Sequence, residues 1–469
     1  MYLETNSFKR SLSLLDGVLL VVGSMIGSGI FIVSTDIVQH IGSAAWLLVV
    51  WLLSGFITLA AALSYGELSG MYPKAGGQYV YLREAYGKLF GFLYGWSFFA
   101  VIQTGTIAAV GVAFAKFAAY LWPSLGEQNV LLSFGTFSIK ASQLVAISLI
   151  FLLTFINAQG VNGSKWIQSI FTLAKIAAIV LLVVCGLWAG HTVWQMNWQH
   201  AWTAFSIADT TSQISHTLLQ GKTLVLAIGT AMVGALFSSD AWNNVTFIAA
   251  EIKKPERNIG LSLLIGTVLV TFLYLSMNIM YLNVLSIQEI AHAPDQRVAL
   301  AAAMKIFGSA GTTIIAVMIM ISTFGCNNGL ILSGARVYYT MAQDGMFLKA
   351  AQQLNKKGVP EKALWMQAIW ASLLCLSGKY GDLLDFIIFT VLLFYILTIA
   401  GIFILRKKQP HLERPYKAFG YPFVPFVYLL LASSICIILL ITKTTFAGGG
   451  LLIVLLGLPI YYFIQKKHS

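Results

Sequence analysis

The chain has 469 residues, 58% of them hydrophobic and only 10% charged, with a net charge of +12. Soluble domains carry about a quarter charged residues, so a soluble globular enzyme is excluded and the composition is that of a membrane protein. The basic excess leaves two readings, nucleic-acid binding or membrane topology, and its distribution along the chain separates them.

Twelve stretches of at least 16 residues lack Asp, Glu, Lys and Arg: 17–35, 37–66, 89–115, 141–164, 176–208, 223–239, 258–288, 306–335, 363–378, 386–405, 418–442 and 444–465. A helix needs roughly 20 mostly apolar residues to cross the hydrocarbon core, so the expectation is twelve transmembrane helices. Strands of a membrane barrel would alternate over about 10 residues, and these runs are too long and too continuously apolar for that. The first run lacks a small-residue cleavage site and is followed at once by another span, so it reads as a span and not a signal peptide.

If the spans alternate in direction, the N-terminus, every second loop and the C-terminus share one side. That side holds 21 of the 29 Lys and Arg residues. Lys and Arg collect on the cytoplasmic side of membrane proteins, which puts both termini in the cytoplasm and leaves no need for a nucleic-acid partner. Cys185, Cys326, Cys375 and Cys436 all fall in apolar runs, which suggests neither a disulfide framework nor a zinc site.

Span 1 contains Gly23-Ser24-Met25-Ile26-Gly27-Ser28-Gly29-Ile30-Phe31. Three glycines and two serines within seven positions weaken a helix, each glycine by about 1 kcal/mol relative to alanine. Span 5 carries a charge, Lys175, ten residues after Lys165 and so about 15 Å into the helix. Only two connections, near 190–221 and 343–362, are long enough to hold structure of their own, and neither could form a domain. No GxxxxGK[ST] phosphate-binding loop is present, which argues against an ATP-driven pump.

Span 6 is also interrupted, at Leu236-Phe237-Ser238-Ser239-Asp240-Ala241-Trp242-Asn243-Asn244. Asp240 stands 11 residues before Glu251, roughly 16 Å and near mid-membrane depth. Spans 1 and 6 are five apart, so they run in opposite directions. That is the pattern of two inverted five-helix repeats with spans 11 and 12 appended: about 14–190, 222–406 and 418–465. Interrupted segments at corresponding places in two halves are the best sequence pointer to a transporter's binding site. The N–H groups that start a second half-helix attract a carboxylate, and the carbonyls that end a first half-helix attract an ammonium.

Five further stretches, taken with span 1, carry a family resemblance: 65–87 (YGELSGMYPKAGGQYVYLREAYG), 251–259 (EIKKPERNI), 322–329 (STFGCNNG), 334–345 (GARVYYTMAQDG) and 414–425 (RPYKAFGYPFVP). Together with VVGSMIGSGIF at 21–31, they resemble the amino acid–polyamine–organocation superfamily and, within it, the L-type amino acid transporter family, in order and over nearly the whole length. The resemblance implies an all-α membrane protein with the five-plus-five inverted-repeat, LeuT-like fold and discontinuous helices 1 and 6, in a bacterial-type inner membrane. It implies an L-amino acid substrate moved by alternating access, by sodium-independent exchange, with no cofactor. The alternatives are a proton-coupled symporter or a carrier of polyamines or cationic amino acids.

By position, the resemblance places the substrate carboxylate on the backbone of Met25, Ile26, Gly27, Ser28 and Gly29, and its ammonium on carbonyls near Phe237, Ser238, Ser239 and Asp240. Phe237 is expected to close over the substrate, and Asn243 to face the pocket or brace span 1. Lys175 is expected to link helix 1 carbonyls to span 8 around Ser322 and Thr323, where sodium-coupled relatives hold sodium. The family usually has small, uncharged residues before Trp-Asn, where this chain has Asp240-Ala241. An ionisable group at the bilayer centre costs about 3 kcal/mol on insertion scales. Asp240 therefore faces the site, braces the broken helix through another polar group, or points elsewhere in the bundle.

Weaker candidates are Glu67 and Glu251 as partners for loop lysines, Gln103, Thr104, Asn327 and Asn328 as pocket lining or helix glue, and Asp385 at the external mouth. The heteromeric members of the family join a partner through a cysteine in the loop between spans 3 and 4. The corresponding segment, roughly 121–140, has none, so no disulfide-linked ancillary subunit is expected. Two rivals remain: a membrane enzyme built on Asp240 and Lys175, though no nucleophile, metal-ligand or cofactor motif accompanies the pair, and a nutrient sensor on the same scaffold, against which the lack of a soluble signalling domain speaks.

Overall fold

In lipid every backbone N–H and C=O must find a partner within the protein, so a long apolar run folds as a helix. The computed structural model bears this out over the residues it describes: 8–135, 137–189, 193–210, 213–376 and 380–468. Residues 190–192 and 211–212 of the 190–221 connection, and 377–378 of the 363–378 run, lie outside the described residues.

The helices are α1 (Leu14–Met25), α2 (Gly29–Ile41), α3 (Ala44–Met71), α4 (Gln78–Tyr86), α5 (Lys88–Ser97), α6 (Gln103–Leu121), α7 (Ala141–Ala158), α8 (Val161–Ala189), α9 (Trp194–Trp198), α10 (Lys222–Ser238), α11 (Asn244–Phe247), α12 (Pro255–Val284), α13 (Ile287–Ala291), α14 (Val298–Gln343), α15 (Glu361–Cys375), α16 (Tyr380–Lys408), α17 (Phe423–Thr442) and α18 (Thr444–His468). Five residues of π-helix, Phe98–Ile102, join α5 to α6. Gly308, at φ 71°, breaks α14 near its start.

Among the described residues, nine helices are long and apolar enough to cross a membrane, and ten if α1 and α2, which meet at 41°, form one bent span. Two expected spans fall short. The 17 residues of α10 and the 15 of α15 measure about 25 and 22 Å.

The all-α expectation is incomplete in one respect. Two antiparallel hairpins, β1 (Val130–Phe134) with β2 (Phe137–Lys140) and β3 (Phe205–Thr210) with β4 (Gln213–Leu218), cap the bundle. Their pairs run Val130↔Lys140 to Phe134↔Phe137 and Phe205↔Leu218 to Thr210↔Gln213. The apolar-run criterion cannot see such short, mixed strands. The second hairpin region is docked on the α2–α3 corner: Ala45 N donates to Ala201 O over 3.1 Å, and Ser43 Oγ donates to the same carbonyl.

The core is a packed set of spans. α3 lies along α12, α14 packs on α8 and α6, α2 on α10, and α1 on α12. α17 and α18 lie at the periphery, with apolar side chains such as Phe423 and Phe463 more than two-thirds exposed. That is the pattern of a surface solvated by lipid. On the face opposite the hairpins, the backbone of Ser11 and Leu12 hydrogen-bonds to Glu251 O over 2.9 and 3.0 Å, which pins the start of the chain beneath α10–α11.

Candidate functional site

Both expected interruptions are real breaks in the helices. α1 stops at Met25, Gly27 N donates to Met25 O over 2.9 Å, and α2 restarts at Gly29. α10 stops at Ser238, Asp240 N donates to Phe237 O over 3.1 Å, and the chain regains only the four-residue α11. Between them Ala241 sits at φ 64°, a left-handed conformation that favours glycine.

The two breaks press against each other. A Cβ on Gly29 would lie 2.0 Å from Ser238 Oγ and 3.0 Å from Ser238 Cα, so only glycine allows α2 to start where α10 ends. Tyr274 of α12 joins them: its hydroxyl lies 3.0 Å from Met25 O and 2.9 Å from Ser238 O, at the last carbonyls of both first half-helices. Sequence reasoning missed Tyr274, because a lone tyrosine in an apolar run carries no signal.

Lys175 is fully buried. Its ammonium donates to Gly23 O at 2.8 Å, Ile26 O at 2.7 Å and Ser322 O at 3.0 Å. Ser322 Oγ adds bonds of 3.2 Å to Ile26 O and Gly27 O. Together they tie the end of α1 to α14 and α8. Thr323 is turned away from this cluster: its hydroxyl bonds back to Ile319 O and Met320 O of its own helix, each at 3.0 Å, as a mid-helix threonine readily does.

Asp240 is buried and accepts a 2.6 Å hydrogen bond from Tyr395 Oη of α16. It lies on the wall of a cavity of about 10 Å³, lined also by Gln78, Tyr94, Phe98, Gln103, Thr106, Asn243 and Tyr395, which is room for about one water. A second cavity, of about 20 Å³, lies beyond the Asp240–Tyr395 pair, against Thr58, Ser239, Trp242 and Tyr428. Asp240 thus lines a cavity wall and has a polar partner on another helix. Beside it Tyr65 packs edge to face on Trp242 and Tyr395, with centroids 4.7 and 6.0 Å apart, and Trp242 is tilted against Tyr395 at 5.3 Å. Burial of Tyr395 gave no pattern by which the sequence could reveal it.

The cavity does not reach every expected residue. Met25 to Gly29, Phe237 and Ser238 do not line it, because the tight Gly29–Ser238 contact closes the space between the breaks in this conformation. Asn243 does line it, and its Nδ2 donates to Gln78 Oε1 over 3.1 Å, while Gln78 Nε2 donates to Thr398 Oγ1 over 3.0 Å. The π-helical turn places Phe98 and Ile102 on the cavity wall. Such turns recur at functional sites.

Of the weaker candidates, Gln103 lines the cavity and donates to Leu330 O at 2.7 Å. Thr104 bonds Phe99 O of its own span at 2.6 Å, whereas Asn327 reaches Ile107 O of α6 at 3.2 Å and Asn328 accepts from Asn157 of α7 at 2.9 Å, so the two asparagines join helices. Glu67 and Glu251 pair with arginines instead of loop lysines: Glu67 with Arg406 at 2.7 Å, and Glu251 with Arg336 at 2.9 Å. Arginine's fork suits a buried carboxylate better than a lysine point charge. Asp385 pairs with Lys443 at 2.9 Å.

Comparison with known proteins adds the lineage. The family profile described as amino acid permease matches residues 12–464. The serine/threonine exchanger SteT of Bacillus subtilis is 32% identical over 475 residues, all of both chains. The mouse b(0,+)-type amino acid transporter 1 is 27% identical, covering 98% of this chain and 89% of its own. The human large neutral amino acids transporter small subunit 2 is 28% identical, covering 97% and 80%. These are transporters, not enzymes. The chain is a multi-pass membrane protein and belongs to the amino acid permease family.

Proposed function

We propose that this protein exchanges L-amino acids across the membrane by alternating access and without sodium. The observation that carries the reading is the contact between the two helix breaks, with Tyr274 bridging Met25 O and Ser238 O. A zwitterion needs an anion site and a cation site a few ångströms apart. The N-terminal turn of α2 supplies N–H groups and the positive end of a helix dipole, and the ends of α1 and α10 supply carbonyls. Substrate would enter by separating Gly29 from Ser238. The names of the relatives, serine/threonine exchanger and b(0,+)-type amino acid transporter, support an amino acid as cargo.

Within this reading the binding residues are Met25, Ile26, Gly27, Ser28 and Gly29 for the carboxylate, and Phe237, Ser238, Ser239 and Asp240 for the ammonium, with Asn243 beside them. Lys175 and Ser322 couple the α1 end to α14. The Lys175 ammonium already fills a nest of three carbonyls, which leaves a coupling sodium no role there.

The spans number twelve when α10 with α11, and α15, are counted. Residues 14–190 and 222–406 then form inverted repeats, with 418–465 appended. In support, the spans at corresponding places in the two halves pack against each other: the broken pair through α2 with α10 and α1 with α11, then α3 with α12 and α6 with α14. The 21 of 29 basic residues on one side make the Glu251–Arg336 face cytoplasmic, with both termini, and the hairpin face external. No disulfide-linked subunit is required.

A second reading, a carrier of cationic amino acids or a proton-coupled symporter, is favoured by one observation: the Asp240 carboxylate on the cavity wall. Uptake of a labelled amino acid into proteoliposomes, competed by each of the twenty amino acids, tests both. Competition by neutral amino acids supports the first reading. Competition confined to lysine, arginine and polyamines supports the second, and competition by none overturns amino acid transport altogether.

A further inference from the structure

Below Lys175, towards the Asp16 end of α1, runs a seam of polar side chains that, Lys175 apart, the transport reading does not use. Lys165, Gln168, Thr172 and Lys175 follow one another at spacings of three, four and three on α8 and so share one face of that helix. The face is packed on α1: Lys165 pairs with Asp16 at 2.9 Å, Thr172 Oγ1 donates to Leu19 O at 3.2 Å, and Lys175 reaches Gly23 O at 2.8 Å.

Three buried amides cross the seam from α7 to α8. Asn157 Nδ2 donates to Asn328 Oδ1 over 2.9 Å, and Asn328 Nδ2 donates to Gln168 Oε1 over 3.2 Å. The chain of bonds runs one way and leaves both ends unpaired. Among the described residues, Asn157 Oδ1 has no donor, Gln168 Nε2 has no acceptor, and the hydroxyls of Ser24 and Thr154 also lack partners. All four residues are at most 3% exposed. Ser24 Oγ and Gln168 Nε2 converge: they lie 2.7 and 3.1 Å from the point that a Cβ on Gly329 would occupy. Each unpaired buried group costs about 1–3 kcal/mol, a load that membrane spans do not carry idly.

The identity of the missing partner follows from the chemistry. A metal cation would satisfy the open acceptor and not the open donor, and an anion the reverse. The amide orientation is fixed at one end, because Asn157 Nδ2 also donates to Leu153 O over 2.8 Å, and a flip would set two oxygens against each other. Water alone offers both. We propose that this seam binds a short file of water molecules, entering at the Asp16–Lys165 end and reaching the level of Ser24 and Lys175, which satisfies its open donors and acceptors.

Hydroxyl-radical footprinting of the wild-type protein in liposomes, without substrate, tests this. Cys326 reports on the seam, with its thiol 3.0 Å from Ser24 O. Cys375, equally buried on α15, lies away from it, against Ala108 O at 3.9 Å. A water file predicts oxidation of Cys326 about tenfold faster than of Cys375. It further predicts that Gln168→Leu, which removes one end of the file, returns Cys326 to the Cys375 rate, and that Thr154→Val slows it should Gln168→Leu fold poorly. Equal rates for the two wild-type thiols overturn the proposal. So does fast oxidation of Cys326 that neither variant alters, since water would then arrive by a route outside the seam. Because no substrate is present, a failure of the amino acid exchange reading leaves this result interpretable.

Discussion

Replacing Lys175 with alanine removes the cation that holds the end of α1 to α8 and α14. The ammonium makes three hydrogen bonds, of 2.8, 2.7 and 3.0 Å. Hydrogen bonds to a charged group contribute roughly 1.5–3 kcal/mol each, about 4–9 kcal/mol in all. Keeping the ammonium out of water costs several kcal/mol of this. Ile26 O also keeps a second donor in Ser322 Oγ at 3.2 Å. The net loss is about 2–4 kcal/mol, a factor of roughly 30 to 1000 in the population of the closed α1 end. The assay is paired: thermal unfolding in detergent and amino acid exchange in proteoliposomes. Lys175→Ala is expected to unfold at lower temperature and to lose most exchange, with no gain from sodium in the wild type. Wild-type unfolding and exchange in Lys175→Ala would refute the claim that this ammonium organises the break.

Three other perturbations separate the parts of the site. Tyr274→Phe leaves Met25 O and Ser238 O without their shared donor, so apparent affinity in uptake assays should fall roughly tenfold while unfolding temperature changes little; an unchanged KM would contradict the bridge. Ala241→Gly relieves a φ of 64° and is expected to stabilise the fold by about 1 kcal/mol, read as a raised unfolding temperature; a lowered one would contradict the strain. Asp240→Asn keeps a partner for Tyr395 but removes the charge from the cavity wall, so the substrate profile or the pH dependence of uptake should shift; identical kinetics across substrates and pH would remove Asp240 from the site.

The sequence made the spans legible because lipid imposes one rule, a long charge-free run. Where the rule weakens, so did the reading. α10 is short because it stops at the very break that Ser238 to Asn243 announce, and the two hairpins are built of strands too short and too mixed to register. The breaks at Met25–Gly29 and Phe237–Asn243 were visible because glycine, serine, aspartate and asparagine stand out in an apolar segment. Lys175 was visible as a lone charge, and its contact with helix 1 carbonyls came from the family resemblance. Tyr274, Tyr395 and Gln78 could not be found, since each is an ordinary residue whose role exists only where distant helices meet. The orientation of Thr323, one residue from Ser322, was equally out of reach, because a rotation of 100° per residue turns neighbours to different faces.

The central claim is that the paired breaks hold an amino acid and pass it across by exchange. Counterflow in proteoliposomes measures that directly: labelled amino acid outside, with the lumen loaded with unlabelled amino acid or left empty, in sodium-free buffer at equal pH. The account predicts uptake that requires the internal amino acid, proceeds without sodium, and falls when Gly29→Ala forces α2 off Ser238. Uptake into empty liposomes driven by a sodium or proton gradient, with no stimulation by internal amino acid, would contradict it.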